Sequence, residues 1–230
     1  MQSVNNTTHQ KSQILIPFII IFNLFPLYGV LKFNWTIFSV VYIFWLEMLI
    51  VSTFLLLKIL FSQGDSNATF ASKFVLAAKF FVFRTGIFFF YLLFIVVFLG
   101  FLVTGKEDFK NAGIFQTMTL QDPFYKITLL NFVAFNLLEF LVQFLAIGDY
   151  KKSKPIDNFV IVDERMIVVH VVVVLGSFLY QFVLEKIKVN HHTAMLICVS
   201  LFVVVKILVE IGKQRINNNA ANETETIPYI

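Results

Sequence analysis

A long, predominantly apolar run from Asn34 to Leu60 constrains most strongly how this chain can fold. The run is long enough to cross a bilayer as a helix, and Glu47 is the only charged residue between Trp35 and Lys58. At a helical rise of about 1.5 Å per residue, Glu47 lies about 18 Å from Trp35 and about 17 Å from Lys58. A carboxylate at mid-membrane depth costs about 2.5–3.5 kcal/mol on insertion scales. We therefore expect Glu47 to face other helices and to bond a polar partner, namely His170, Asn23 or Lys206.

The composition extends this conclusion to the whole chain. Hydrophobic residues make up 58% of the sequence, with 30 phenylalanines and only 14% charged residues, whereas soluble domains are roughly 45–50% apolar. We predict an all-α, polytopic membrane helix bundle over residues 1–215 and a polar, disordered cytoplasmic tail over residues 216–230. The net charge of +4 comes from basic residues scattered through short loops, so no nucleic-acid partner is expected. The single cysteine, Cys198, excludes an intrachain disulfide and a cysteine metal site.

About six apolar runs are predicted to span the membrane. Their approximate bounds are Ser12 to Leu31, Asn34 to Leu60, Gly86 to Val103, Pro123 to Ile147, Glu164 to Leu184 and Thr193 to Ile211. Before the third span, phenylalanines and alanines recur at helical spacing from Phe70 to Phe81, with Lys73 and Lys79 on the other face. This pattern predicts an amphipathic interfacial helix. Arg84, next to that span, is interpreted as a headgroup contact, with a functional cation as the alternative.

The distribution of Lys and Arg predicts the topology. With six spans and a cytoplasmic amino terminus, the inner segments carry eleven of these residues and the outer segments carry six. The positive-inside rule therefore places both termini in the cytoplasm and the protein in the cell membrane.

Polar residues inside the spans are the candidate functional groups. In the fourth span, Asn136, Glu139 and Gln143 share one helix face, which either joins helices or lines a substrate or ion path. Asn23, beside Pro26, either bonds the backbone freed by that proline or lines a cavity. His170 is read as a buried hydrogen-bonding group or as a ligand, and Lys206 as an ion-pair partner of Glu210 at the interface. Glu139, His170, Lys206 and Asn23 fall in the predicted cytoplasmic half, which predicts a cytosol-facing polar vestibule with Glu47 at its bottom.

Short motifs in most of the spans carry a resemblance to a known family. The matching positions are Asn23, Pro26, Gly29, Trp35, Trp45, Leu46, Glu47, Gly86, Phe88, Arg165, His170, Gly176, Phe178 and Lys206. At these positions the chain resembles the domain-of-unknown-function family 6498, which consists of uncharacterised multi-spanning prokaryotic membrane proteins. The resemblance implies a bacterial or archaeal inner-membrane protein, adds Arg165 to the candidate residues, and implies no activity. This chain lacks the histidines that members often carry near positions matching Arg84, Leu92 and Asn136.

Three functions are compatible with these features. A small transporter or channel-like protein would use Glu47 and Glu139 to bind a cation or proton, with Asn23, Asn136 and Gln143 hydrating the path. A structural or sensory subunit would use the same residues to join helices. An intramembrane enzyme would use Glu139 and His170 on a lipid-soluble substrate, but it is disfavoured because the sequence lacks the common hydrolase and nucleotide-binding motifs. No metal or cofactor is predicted, the lipid bilayer is the expected partner, and homo-oligomerisation is left open.

Overall fold

The protein is helical throughout the part of the chain that the structure describes. This computed structural model describes residues 17, 20–21, 23–33, 35–97, 114–163, 166–171, 179 and 182–225, and these residues contain no strand. The side chains of residues 114–115, 184–185, 191 and 213–225 lie outside the description. The all-α fold class expected from the composition is confirmed over the described ranges.

Five long helices form the framework. They are α1 (residues 23–33), α2 (Ile37–Phe61), α3 (Phe70–Ile95), α4 (Pro123–Glu139) and α5 (His191–Glu225). Shorter helical segments are Ile114–Met118, Asp149–Lys152, Pro155–Asn158, residues 166–171 and the π-helical segments Phe140–Ala146 and Val183–Ile187.

Helix α2 lies at the centre of the described bundle. It begins after Thr36, whose hydroxyl accepts a hydrogen bond from the Ser39 N–H at 3.2 Å and so caps the first turn. Its sequence is apolar on every face, as expected for a helix surrounded by protein or lipid. Half of its most apolar 18-residue stretch is buried. The corresponding fraction is 22% in α3 and 22% in the helix from Pro123 to Ala146. Helices α3, α4 and α5 all contact α2, so the run that dominates the sequence also organises the structure.

Helix α3 runs without a break from Phe70 to Ile95. The structure therefore does not separate an interfacial helix from a third span beginning at Gly86, as we predicted, and the predicted end of that span lies outside the described residues. Arg84, next to the predicted start of that span, is 2% exposed and faces the protein interior. Our interpretation of Arg84 as a headgroup contact is therefore wrong.

Helix α4 begins as the sequence predicts but ends differently. The Asp122 carboxylate accepts a hydrogen bond from the Phe124 N–H at 2.8 Å, and Pro123 occupies the first turn. From Phe140 to Ala146 the backbone is π-helical. The wider π turn changes the angular spacing of side chains, so the single face predicted for Asn136, Glu139 and Gln143 does not continue regularly to Gln143.

Four helices in the described part of the chain are long and apolar enough to cross a membrane. They are Ile37–Phe61, Phe70–Ile95, Pro123–Ala146 and His192–Gly212. The first and fifth predicted spans lie partly outside the described residues, so the count of six stays a prediction. The backbone of α5 remains helical to Glu225, into the segment that we predicted to be a disordered tail.

Candidate functional site

Three helices bring a group of charged and amide side chains together inside the bundle. Asn23 comes from α1, Glu47 from α2, and Lys206 and Glu210 from adjacent turns of α5. Their exposed fractions are 3%, 5%, 3% and 8%, respectively. Glu47 lies about 15 Å from the first residue of α2 and about 21 Å from the last, at a rise of about 1.5 Å per residue. We refer to these four residues as the buried charge cluster.

Lys206 contacts all three other residues of the buried charge cluster. Its ammonium donates to Glu47 Oε1 at 3.0 Å and lies 3.0 Å from Glu47 Oε2 and 3.1 Å from Glu210 Oε1. It also donates to the amide oxygen of Asn23. The amide nitrogen of Asn23 donates to Glu210 Oε2 at 2.7 Å. Asn23 therefore bridges the cation and one of the two acids.

Aromatic rings enclose the same ammonium. The Lys206 Nζ atom lies 5.0 Å from the centroid of the Phe44 ring and 5.9 Å from that of the Phe132 ring. A cation at this distance is attracted by the negative face of a ring, most strongly where water is excluded. The ammonium is thus held by carboxylates, an amide and two rings in an environment with little water.

The geometry meets the expectation that Glu47 is buried and bonded to one of its predicted polar partners. The i, i+4 pair of Lys206 and Glu210 also forms. That pair is buried among helices, however, and not at an exposed interface as we expected. The pair lies inside the bundle because Lys206 also binds Glu47, the acid on α2.

The polar residues predicted on the fourth span do not belong to the buried charge cluster. Glu139 pairs with Lys58 at 3.0 Å, and their side chains are 28% and 20% exposed. Lys58 follows Glu47 by eleven residues on α2, or about 17 Å along the helix. Asn136 is buried one turn after Phe132 and donates to the Phe132 carbonyl at 2.8 Å. Gln143 is half-buried within the π-helical segment.

His170 lies on the surface of the described structure, away from these acids. Its ring centroid is 5.6 Å from that of Tyr91 and 6.0 Å from that of Phe94, at the edge of an apolar groove of about 360 Å³ along α3. The expectation of a buried histidine is therefore wrong. Arg165 lies outside the described residues. Among the residues described, no three His, Cys, Asp or Glu side chains are arranged to hold one metal ion.

Sequence reasoning missed a second buried ion pair, between Arg84 and Asp163. The two side chains are 2.5 Å apart, and Arg84 also donates to the Ser52 hydroxyl and to the carbonyls of Val160 and Ile161. Asp163 precedes the predicted fifth span, so its charge resembled that of an ordinary loop residue. The sequence did offer a sign that Asp163 is structural, because an Asp three residues before Met166 is a typical helix cap. Asp163 Oδ1 accepts a hydrogen bond from the Met166 N–H at 2.9 Å.

The apolar helices and the enclosed ion pairs indicate a helical membrane protein. The chain belongs to a family of unknown function (DUF6498), whose model matches residues 5–226. Comparison with curated proteins and with solved structures gave no match. The family membership agrees with the resemblance carried by the short motifs and brings no activity with it.

Proposed function

We propose that this protein is a small multi-pass transporter of the prokaryotic cytoplasmic membrane, with the buried charge cluster as its ion-binding site. The proposal includes six spans and two cytoplasmic termini. We also propose a cytosol-facing vestibule that leads to the buried charge cluster. Unlike the vestibule predicted from the sequence, it does not include Glu139 and His170.

The observation that carries the proposal is the meeting of two carboxylates at one ammonium deep in the bundle. Ionisable groups at membrane depth are costly, and where they occur they mark ion paths, proton relays and counter-ion sites. A polar group that only joined helices would not need a carboxylate from each of two helices. Asn23 adds an amide that bonds both the cation and an acid, as expected of a site that exchanges ions between polar partners.

The proposed orientation is supported by the placement of the loops. The end of α2, the start of α3 and the segment from Asp149 to Asn158 meet at one end of the bundle, where the Gln63 N–H donates to the Tyr150 carbonyl. Lys151, Lys152 and Lys154 lie in this segment. Gathering of basic residues at one end is the pattern of a cytoplasmic face.

A structural or sensory subunit is the second candidate. It is favoured by the Arg84 and Asp163 pair, because Arg84 on α3 binds Asp163, just before residue 166, and Ser52 on α2. Buried ion pairs of this kind can specify how helices assemble. An intramembrane enzyme has less support, because His170 and Glu139 do not converge in the described structure.

Charge movement in reconstituted vesicles tests the transporter. Proteoliposomes adsorbed on a solid-supported membrane are exposed to jumps in H⁺ or Na⁺ concentration, and the capacitive current is recorded. The parent should give a current that Glu47→Gln abolishes. Asp157→Asn, which removes an exposed loop carboxylate, should leave the current unchanged. Parent currents no larger than those of Glu47→Gln for either ion would reject the transporter in favour of the structural subunit.

A further inference from the structure

His170 provides the one imidazole in a groove that is otherwise apolar and lies along α3. The groove holds about 360 Å³, which is within the range of small-molecule sites. The imidazole stacks on the Phe94 ring and meets the Tyr91 ring edge-on. The remaining lining side chains are those of Phe90, Leu93 and Val97. The groove therefore combines flat apolar walls with a single polar group, as binding sites for lipophilic molecules do.

The groove lies within the length of the bundle that spans the membrane. Hydrogen bonds from Arg84 to Ser52 and from Trp45 to the Phe88 carbonyl show that α2 and α3 run antiparallel. Trp45 is eight residues, or about 12 Å, from the first residue of α2. Tyr91 follows Phe88 by three residues and so lies about 7.5 Å inside that end of the span. At this depth an exposed side chain faces lipid tails, which form no hydrogen bonds.

An imidazole that faces lipid tails loses the hydrogen bonds that it would make in water. Within the ranges that the structure describes, His170 is exposed and makes ring contacts but no hydrogen bond. A neutral imidazole has one N–H donor, and an unpaired polar group away from water costs free energy. An occupant with an oxygen acceptor would complement the partial positive charge on this N–H. Its body should be flat and uncharged, because the other lining side chains are aromatic or aliphatic.

We propose that this groove binds an uncharged, lipid-soluble molecule whose flat ring carries a carbonyl oxygen, with His170 donating a hydrogen bond to that oxygen. A membrane quinone has this chemistry, because its head is a flat ring with carbonyl oxygens and its chain dissolves in lipid. The rings of Phe90 and Phe94 pack against the head. The groove is continuous with the exposed surface of α3 at Phe89 and Leu93, which leaves the chain in the lipid. This site is separate from the buried charge cluster and does not depend on the proposed transporter.

Retention of a labelled quinone by the full chain in detergent tests the proposal. Tritiated decylubiquinone is titrated at constant detergent concentration onto protein held on an affinity resin, and the bound label is counted. The parent should bind saturably, with about one quinone per chain. His170→Leu should bind about tenfold more weakly, because the hydrogen bond is lost. His170→Gln keeps an N–H donor and should bind within about threefold of the parent.

A second variant tests the location by filling the groove. Val97→Trp leaves His170 in place and should also weaken binding about tenfold or more, because the indole occupies the space of the quinone head. The two variants act by different routes, and the unfolding midpoint of each in the same detergent shows whether it has folded. Parental affinity in a folded Val97→Trp would place the quinone elsewhere and overturn the proposal.

Another apolar groove provides the matched control. It holds about 340 Å³, and its lining residues, all of them described, include no histidine: Ile21, Leu24, Phe25, Tyr28 and Phe124. Leu24→Trp, which fills that groove, should leave quinone binding unchanged. Unlabelled dodecylbenzene, a flat ring with a lipid-soluble chain and no carbonyl, should compete about tenfold more weakly than unlabelled decylubiquinone.

Three further results would overturn the quinone site. The first is uptake of label by the parent without saturation. The second is a His170→Leu variant that binds as tightly as the parent. The third is equal competition by dodecylbenzene and decylubiquinone, which would show that the groove takes up hydrocarbon alone. Each of these outcomes leaves the ion currents of the proposed transporter untouched, so the two proposals fail separately.

Discussion

The guanidinium of Arg84 lies 2.5 Å from one oxygen of the Asp163 carboxylate, while the other oxygen accepts a hydrogen bond from the Met166 N–H. One acid thus joins α3 to the start of the next helical segment. Arg84 also bonds Ser52 on α2, so three parts of the chain depend on a single buried cation.

Arg84→Met should lower the free energy of unfolding by about 3–5 kcal/mol, because it leaves Asp163 as an unpaired buried charge. Thermal unfolding in detergent measures the loss. Lys58→Met is the control, since it breaks a partly exposed pair with Glu139, and we expect it to cost about 1 kcal/mol or less. Equal losses in the two variants would show that Arg84 does not anchor the bundle.

Replacing the cation of the buried charge cluster should reduce the free energy of unfolding more than replacing one of its acids. Lys206→Met should cost about 3–5 kcal/mol, since it removes the only described ammonium that the two acids share. Glu47→Gln should cost less, about 1–3 kcal/mol, because Lys206 keeps its contact with Glu210 and an amide can keep a hydrogen bond. Denaturation of both variants in the same detergent measures the difference. Similar losses would mean that the bundle requires the Glu47 carboxylate as much as it requires Lys206.

Two glycines differ sharply in the space around them. At Gly29 an added Cβ would overlap the Trp35 ring, whereas at Gly86 nothing lies within 4 Å of an added Cβ. Gly29→Ala should therefore destabilise by about 1–3 kcal/mol through overpacking. Gly86→Ala should be neutral or stabilise by up to about 1 kcal/mol, because alanine favours the helical backbone. Unfolding midpoints in detergent test the pair, and a loss at Gly86 as large as that at Gly29 would contradict the predicted packing.

Labelling tests the orientation in the membrane. In a Cys198→Ala background, Asp65→Cys should react with a membrane-impermeant thiol reagent only from the cytoplasmic side. Thr119→Cys, at the opposite end of the bundle, should react only from outside. Each site is at least partly exposed, whereas Cys198 is fully buried. Labelling of Asp65→Cys in intact cells would show that the topology is inverted.

Much of the local structure could be predicted from the sequence. The central apolar helix, the capped start of α4 at Asp122, and the burial of Glu47 with a polar partner all follow from composition, capping chemistry and the cost of an acid at membrane depth. Each depends on residues within a few turns of one another or on the membrane as a uniform solvent. They can therefore be read without knowing how the helices pack.

Only the tertiary structure decided which polar groups meet. Asn23 reaches Glu210 across 187 positions of sequence, and Lys206 reaches Glu47 across 159. The spacing along a helix says which residues share a face, but it does not say how that helix is rotated against its neighbours. For the same reason, the sequence did not predict that Arg84 pairs with Asp163, or that Glu139 pairs with Lys58 and not with the cluster around Glu47. The π turn at Phe140 also changed a helix face that regular α-helical spacing would have kept. The sequence by itself determined that a mid-membrane acid needs a partner, and the packing of α1, α2 and α5 determined that Lys206 would be shared.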